Sequence, residues 1–147
     1  MNKLELNRSF GYLVHDVARM LGRRFDKRAR AVGLTRAQCK ALSYLARNEG
    51  IHQAGLAELL EIAPITLVRL LDRMEEAGWI ERRLDPADRR TRRLYLAERA
   101  KPIFSAIRRM AEESRKEAFA GLTPHEQEQL IELLLQVHAN LSRRETV

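Results

Sequence analysis

Apolar residues recur at helical spacing along most of this chain, and the one region where that spacing fails carries the most information. From Phe10 they fall at Leu13, Val14, Val17, Met20, Leu21 and Phe25, the stripe of an amphipathic helix, which Gly33 can end. Thr35 and Gln38 stand at capping-box spacing, so a second helix should start at Thr35 and finish before Gly50. A shorter helix is expected from about Gln53 to Glu61. Pro64 suits the first turn of the next, PITLVRLLDRMEEAG, which Gly78 can terminate.

After Gly78 the period changes to two. Ile80, Arg82 and Leu84 share one face of an extended segment, and Leu94 and Leu96 share one face of a second. Between them Asp85-Pro86-Ala87-Asp88 reads as a turn, because Pro86 presets φ and the aspartates accept nearby backbone N–H groups. Two helices should follow. One runs from about Ala97 through Pro102 to Ala120, with Ile103, Phe104, Ile107, Met110 and Ala111 as its stripe. The other starts at Thr123, Pro124 and Glu126 and continues through Leu130, Leu134, Val137 and Leu141. The sequence holds no internal repeat, low-complexity stretch or long linker.

Helix, helix, short helix, helix, hairpin, helix, helix predicts a mainly α chain built around a winged helix-turn-helix. In that arrangement the second helix of the pair can enter the major groove of DNA while the hairpin reaches along the backbone. Thr66, Arg69 and Arg73 project from one side of the second helix, and Leu67, Leu70, Leu71 and Met74 face the core.

Charge gives this outline its chemistry. Arg82, Arg83, Arg89, Arg90, Arg92 and Arg93 fall within twelve residues, against Glu81, Asp85 and Asp88. An acidic protein face, a membrane surface or a phosphate backbone would each favour such a density, and a merely solvated surface is the bland alternative. The formal net charge of +7 and pI of about 10.2 point to a polyanion. Next to a helix-turn-helix, nucleic acid is the reading that fits.

Other residues exclude more than they suggest. A single cysteine, Cys39, rules out an internal disulfide framework. It lies on the apolar side of its helix, where a packed thiol is expected rather than an exposed redox sensor. Trp79 reads as a core anchor. His15, His52, His125 and His138 are scattered, and in HEQEQ a glutamine, Gln129, stands where a second zinc ligand would be, so no metal is expected. No Gly-rich phosphate loop or nucleophile elbow is present, and the chain does not read as an enzyme. The opening stretch has no unbroken apolar core of signal-peptide length, and no run reaches the roughly 20 apolar residues that span a bilayer. A cytoplasmic location is expected.

The stretch LAELLEIAPITLVRLLDRMEEAGWIERRLDPADRRTRRLYL resembles the core of the MarR transcriptional regulators, and most closely their SlyA-like branch. The specific part is LVRLLDRMEEAGWIERR followed by DPADRR. The resemblance implies a DNA-binding repressor-type regulator. It would be a homodimer, with residues 1–33 and 98–147 as dimerisation helices flanking a winged domain at 34–97, bound to a pseudo-palindromic operator. It also implies that Arg69 contacts bases, that Arg90 enters the minor groove, and that Asp88 steadies Arg89 and its neighbours. With Pro64, Ile65, Thr66, Arg73, Arg92 and Arg93 these complete the expected contact set for double-stranded DNA. The chain departs from the family pattern at Glu61, where a glycine is usual, and at LAERAK after the wing.

Many members of that family release DNA when a small phenolic or aromatic carboxylate binds between the dimer helices and the winged head. Tyr12, His15 and Arg19 share one face of the first long helix and offer a ring, a donor and a cation to such an effector; polar dimer contacts are the competing reading. No cofactor is expected. A nonspecific nucleoid-type DNA binder and a winged-helix protein-interaction module are the alternative functions.

Overall fold

The computed structural model describes residues 2–143. Among them α1 (Lys3–Leu6), α2 (Phe10–Ala31), α3 (Arg36–Ala46), α4 (Gln53–Leu60) and α5 (Pro64–Glu76) precede two strands, β1 (Ile80–Leu84) and β2 (Arg92–Leu96). Two helices follow, α6 (Ile103–Ala118) and α7 (Pro124–Ser142). The chain divides into two compact bodies between Ser114 and Arg115, within α6.

Local chemistry sets most helix ends. Thr35 accepts from the Gln38 N–H at 3.1 Å while Gln38 returns the bond to the Thr35 N–H at 3.0 Å. Thr123 and Glu126 repeat that box at the start of α7. At the other end of α2 the Leu34 N–H donates to Ala29 and the Gly33 N–H to Arg30. Trp79 and Gly78 close α5 onto Met74 and Glu75 in the same way. Both are Schellman closures, which put the penultimate residue in the left-handed region and tuck an apolar one beneath. α4 ends with the same pair of bonds, Ile62 to Ala57 and Glu61 to Glu58. There, however, the left-handed position is taken by Glu61, at φ 54° and ψ 42°. The unusual residue in the turn of the helix-turn-helix therefore carries backbone strain that glycine would avoid.

In the first body the core gathers the inner faces of α3, α4 and α5. Leu34, Leu42, Leu45, Leu56, Leu67, Leu71, Met74, Ile80 and Leu94 are fully buried, each contributing about 1.5–3 kcal/mol relative to exposure. Leu70 packs against this cluster, and Trp79 and Cys39 belong to it. Burial pushes the Cys39 thiol up to about 11, which keeps it protonated at neutral pH.

β1 and β2 pair antiparallel, Ile80 opposite Leu96 and Leu84 opposite Arg92. A third segment extends the sheet. The Gly50 N–H donates to Leu94 at 2.8 Å, the Leu94 N–H returns to Ile51 at 2.9 Å, and His52 bridges to Arg93. The hairpin is thereby tied by its backbone to the entrance of α4, a link that sequence periodicity does not reveal.

Three expectations need adjusting. α1 is absent from the periodicity and forms through a capping box of Asn2 and Glu5. The segment after β2 is a single 3-10 turn, Glu98–Ala100, and α6 begins at Ile103. Pro102 has no N–H to give to an interior turn and stands ahead of the helix. In the hairpin loop the hydrogen-bonded turn is Asp88 to Thr91, closed by the Thr91 N–H at 3.1 Å, and not Asp85 to Asp88. Asp85 instead opens the loop and is buried.

In the second body α7 buries none of its residues, and Leu130, Ile131, Leu133, Leu134, Leu135 and Leu141 stay exposed. The same holds for the stripe of α2 in the first body, where Phe10, Leu13, Val14, Val17 and Met20 face outward.

Candidate nucleic-acid interface

α5 presents two unlike faces. Leu67, Leu71 and Met74 are buried, whereas Pro64, Ile65, Thr66, Arg69 and Arg73 are exposed. Pro64 supplies the first turn with a fixed φ and no superfluous N–H. Ile65 is 61% exposed, a large apolar side chain at the helical end that meets base edges when such a helix enters a groove.

The hairpin arginines divide by environment. Arg82 is drawn in: its side chain is 16% exposed and reaches Asp72 at 2.5 Å, Glu75 at 3.2 Å and Gln53 at 3.3 Å. It thereby ties β1 to α5 and α4. Arg83 lies 4.1 Å over the Tyr95 ring and pairs with Glu81 at 2.9 Å. Arg93 points to Asp85 at 3.3 Å and donates to the Gly50 carbonyl, also at 3.3 Å, so it is directed differently from the other expected contact residues. Arg89 and Arg92 are exposed, as are Arg69 and Arg73 on α5. The guanidinium groups of these four form no ion pair among the described residues. Arg90 is almost fully solvent-exposed, at 95%, with only a 3.6 Å approach to Asp88.

The two loop aspartates do separate work. Asp88 accepts from the Arg90 N–H at 3.0 Å, and its carbonyl accepts from Thr91, which shapes the turn carrying Arg89 and Arg90. Asp85 is 4% exposed and sits where β1 ends. Hydrogen bonds from His52 and from the Ala87 N–H hold its carboxyl down at about 2, since both favour the charged form. Neither His52 nor Asp85 stood out in the sequence as a site residue; only their meeting across 33 positions reveals the pair.

α5 and the hairpin adjoin. A cleft of about 270 Å3 is lined by His52, Pro64 and Val68 on one side and by Arg90, Thr91 and Arg92 on the other. A basic helix face and a basic hairpin tip thus border one concavity.

Tyr12, His15 and Arg19 are exposed on α2, with Arg19 paired to Asp16. A separate groove of about 360 Å3, missed by the sequence, lies lower on the same helix, lined by Phe25, Arg36, Cys39, Lys40, Ser43 and Ile107. Arg36 is held by Asp26 at 3.1 Å.

This fold, with a two-faced helix behind a basic hairpin, defines a winged helix-turn-helix protein. Residues 32–91 match the model of the MarR family. YybA of Bacillus subtilis (strain 168), an uncharacterised HTH-type transcriptional regulator, is 32% identical over 110 residues, covering 75% of this chain and 73% of YybA. The chain belongs to the MarR family.

Solved structures share this fold. The transcriptional regulator SlyA is 31% identical with a TM-score of 0.74, over 88% of this chain and 91% of that one. A cysteine-to-serine mutant of MarR from E. coli, complexed with operator DNA, is 25% identical with a TM-score of 0.78, over 93% of this chain and 99% of that one. Identity is thus higher to SlyA and the TM-score higher to MarR. No helix among the described residues is long and apolar enough to cross a membrane.

Proposed function

We propose that this chain is a sequence-specific, DNA-binding transcriptional regulator that acts as a homodimer on a pseudo-palindromic operator. The observation that carries the reading is the shared cleft: Pro64 and Val68 of α5 and Arg90 and Arg92 of the wing line one concavity. A helix in the major groove would therefore bring the wing tip against the flanking strand. Membership of the MarR family and the likeness to a MarR–operator complex support it.

In this reading Arg69 reads guanine by a bidentate contact, and Ile65 offers an apolar surface to a thymine methyl group. Arg89, Arg90 and Arg92 neutralise phosphates or enter the narrow minor groove, where arginine is favoured. The homodimer is supported by the distribution of uncovered apolar residues. Of the 17 large apolar side chains left exposed among the described residues, six lie on α2 and six on α7, far more than isolated surface residues would supply.

For an effector, the groove beside Cys39 is better built than the Tyr12, His15 and Arg19 face. Its apolar lining of Phe25 and Ile107 together with Lys40 suits a small aromatic carboxylate. Arg19 is already engaged by Asp16.

Selection of bound duplexes from a random DNA pool tests the function. An enriched palindrome with half-site centres about one helical turn apart is the expected result. Uniform binding of all sequences would instead mark a nonspecific DNA binder, and no binding at moderate salt a protein-interaction module.

A further inference from the structure

Asp85 is the buried carboxylate among the described residues, and its position is unusual for a charge that is costly to desolvate. It stands at the start of the loop that carries Arg89 and Arg90. Two of its contacts arise within the hairpin, the Ala87 N–H at 2.9 Å and Arg93 Nε at 3.3 Å. The third comes from outside: His52 Nε2 lies 2.5 Å from Asp85 Oδ2.

His52 occupies the N-cap of α4, yet its side chain makes no hydrogen bond to that helix. Serine, threonine, aspartate or asparagine there would cap the first turn. The imidazole forgoes that role and crosses to the wing. The middle of the hairpin is already fixed by the backbone bonds of Gly50 and Ile51 to Leu94. What the side-chain bridge adds is a hold on residues 85–91, the tip.

We propose that His52, acting through Asp85, is a positioning residue for the tip of the wing, and that protonation of His52 tightens DNA binding. The proposal rests on the DNA-binding reading above. Protonated imidazole donates from both nitrogens, and its bond to a carboxylate is charge-assisted; the neutral ring keeps at most one donor and loses the charge. Facing His52 are Asp85 from the loop, Arg93 from β2, and Arg90 and Arg92 across the cleft.

The test uses the full chain and the duplex enriched from the random pool. Kd is measured from about pH 5.5 to 8, the range in which histidine changes charge, for the wild type, His52→Gln and His52→Phe. Amide hydrogen exchange of residues 85–91 is followed in the same proteins without DNA. Glutamine keeps a neutral donor, so His52→Gln should flatten the pH dependence, while the wild type weakens about threefold or more toward high pH. His52→Phe should bind weakly at every pH, with faster exchange at Ala87 and Thr91 and unchanged exchange in β1.

A pH dependence retained in His52→Gln overturns the proposal. So does exchange of 85–91 that His52→Phe leaves unaltered, even if the salt dependence then falls by about one charge per head, since that pattern marks direct phosphate contact. Should the wild type enrich no duplex at all, the regulator reading fails, and the DNA-free exchange still decides whether His52 holds the wing.

Discussion

Arg82 and Arg90 stand eight residues apart in one basic stretch, yet they belong to different parts of the protein's physics. Arg82 is largely enclosed and satisfied by Asp72, Glu75 and Gln53. Arg90 extends into solvent with one loose carboxylate neighbour. The first works on the fold, as a tie between the hairpin and α5. The second is expected to add little to the fold, since exposed pairs of that length are weak, and is left for a partner. An arginine-dense hairpin is thus two populations, one inward and one outward, and only the outward one speaks about function.

The largest effect that separates them is expected at Arg69, another outward arginine. Arg69→Ala should weaken binding to the selected duplex by about 2–6 kcal/mol over two half-sites while leaving the unfolding midpoint unaltered. Titration and thermal melting of the same sample check this, and a parallel fall in the midpoint would break the division. Arg82→Ala should do the reverse. Loss of its charged hydrogen bonds is expected to lower stability by about 1–2 kcal/mol, read from denaturant unfolding, and the discount for its exposed partners keeps the figure below that of a buried pair.

A smaller effect sharpens the same contrast between fold and partner in the turn before α5. Glu61→Gly removes a left-handed non-glycine residue and should stabilise the head by about 1 kcal/mol. DNA affinity should not follow, because the side chain is removed from a turn rather than from the basic face. The subtlest expectation concerns acid. Asp85 has its carboxyl held at about 2, below the ordinary 3.8. On the acid side its contribution is lost as pH falls from about 4 toward about 2, because only the carboxylate accepts both bonds. Asp85→Asn should flatten the unfolding curve through that window; an unchanged curve would show that the pair does not matter to the fold.

These contrasts also mark what a sequence can reveal. Capping boxes at Thr35 and Thr123, glycine closures at Gly33 and Gly78, and the buried side of α5 are local patterns, and each appears in the structure where the spacing puts it. The class of fold follows from their order. Asp85 and Asp88, by contrast, look alike in DPAD: both are turn-forming residues beside arginines. Only tertiary contact shows that Asp85 is buried against His52 and that Asp88 shapes the exposed turn. The strand-like pairing of Gly50 and Ile51 has no period to betray it, being too short. Nor could spacing show that Arg82 turns inward or that Arg93 reaches the Gly50 carbonyl, because their partners lie on other elements. The groove beside Cys39 is equally a product of three helices meeting.

The outward population is tested most directly by a single triple variant, Arg89→Ala with Arg90→Ala and Arg92→Ala, measured for duplex affinity and melting together. The prediction is binding weakened on the order of 100-fold or more at physiological salt, on every sequence alike, with stability within about 0.5 kcal/mol of the wild type. A midpoint that falls along with affinity, or affinity that survives the loss of all three, would contradict it.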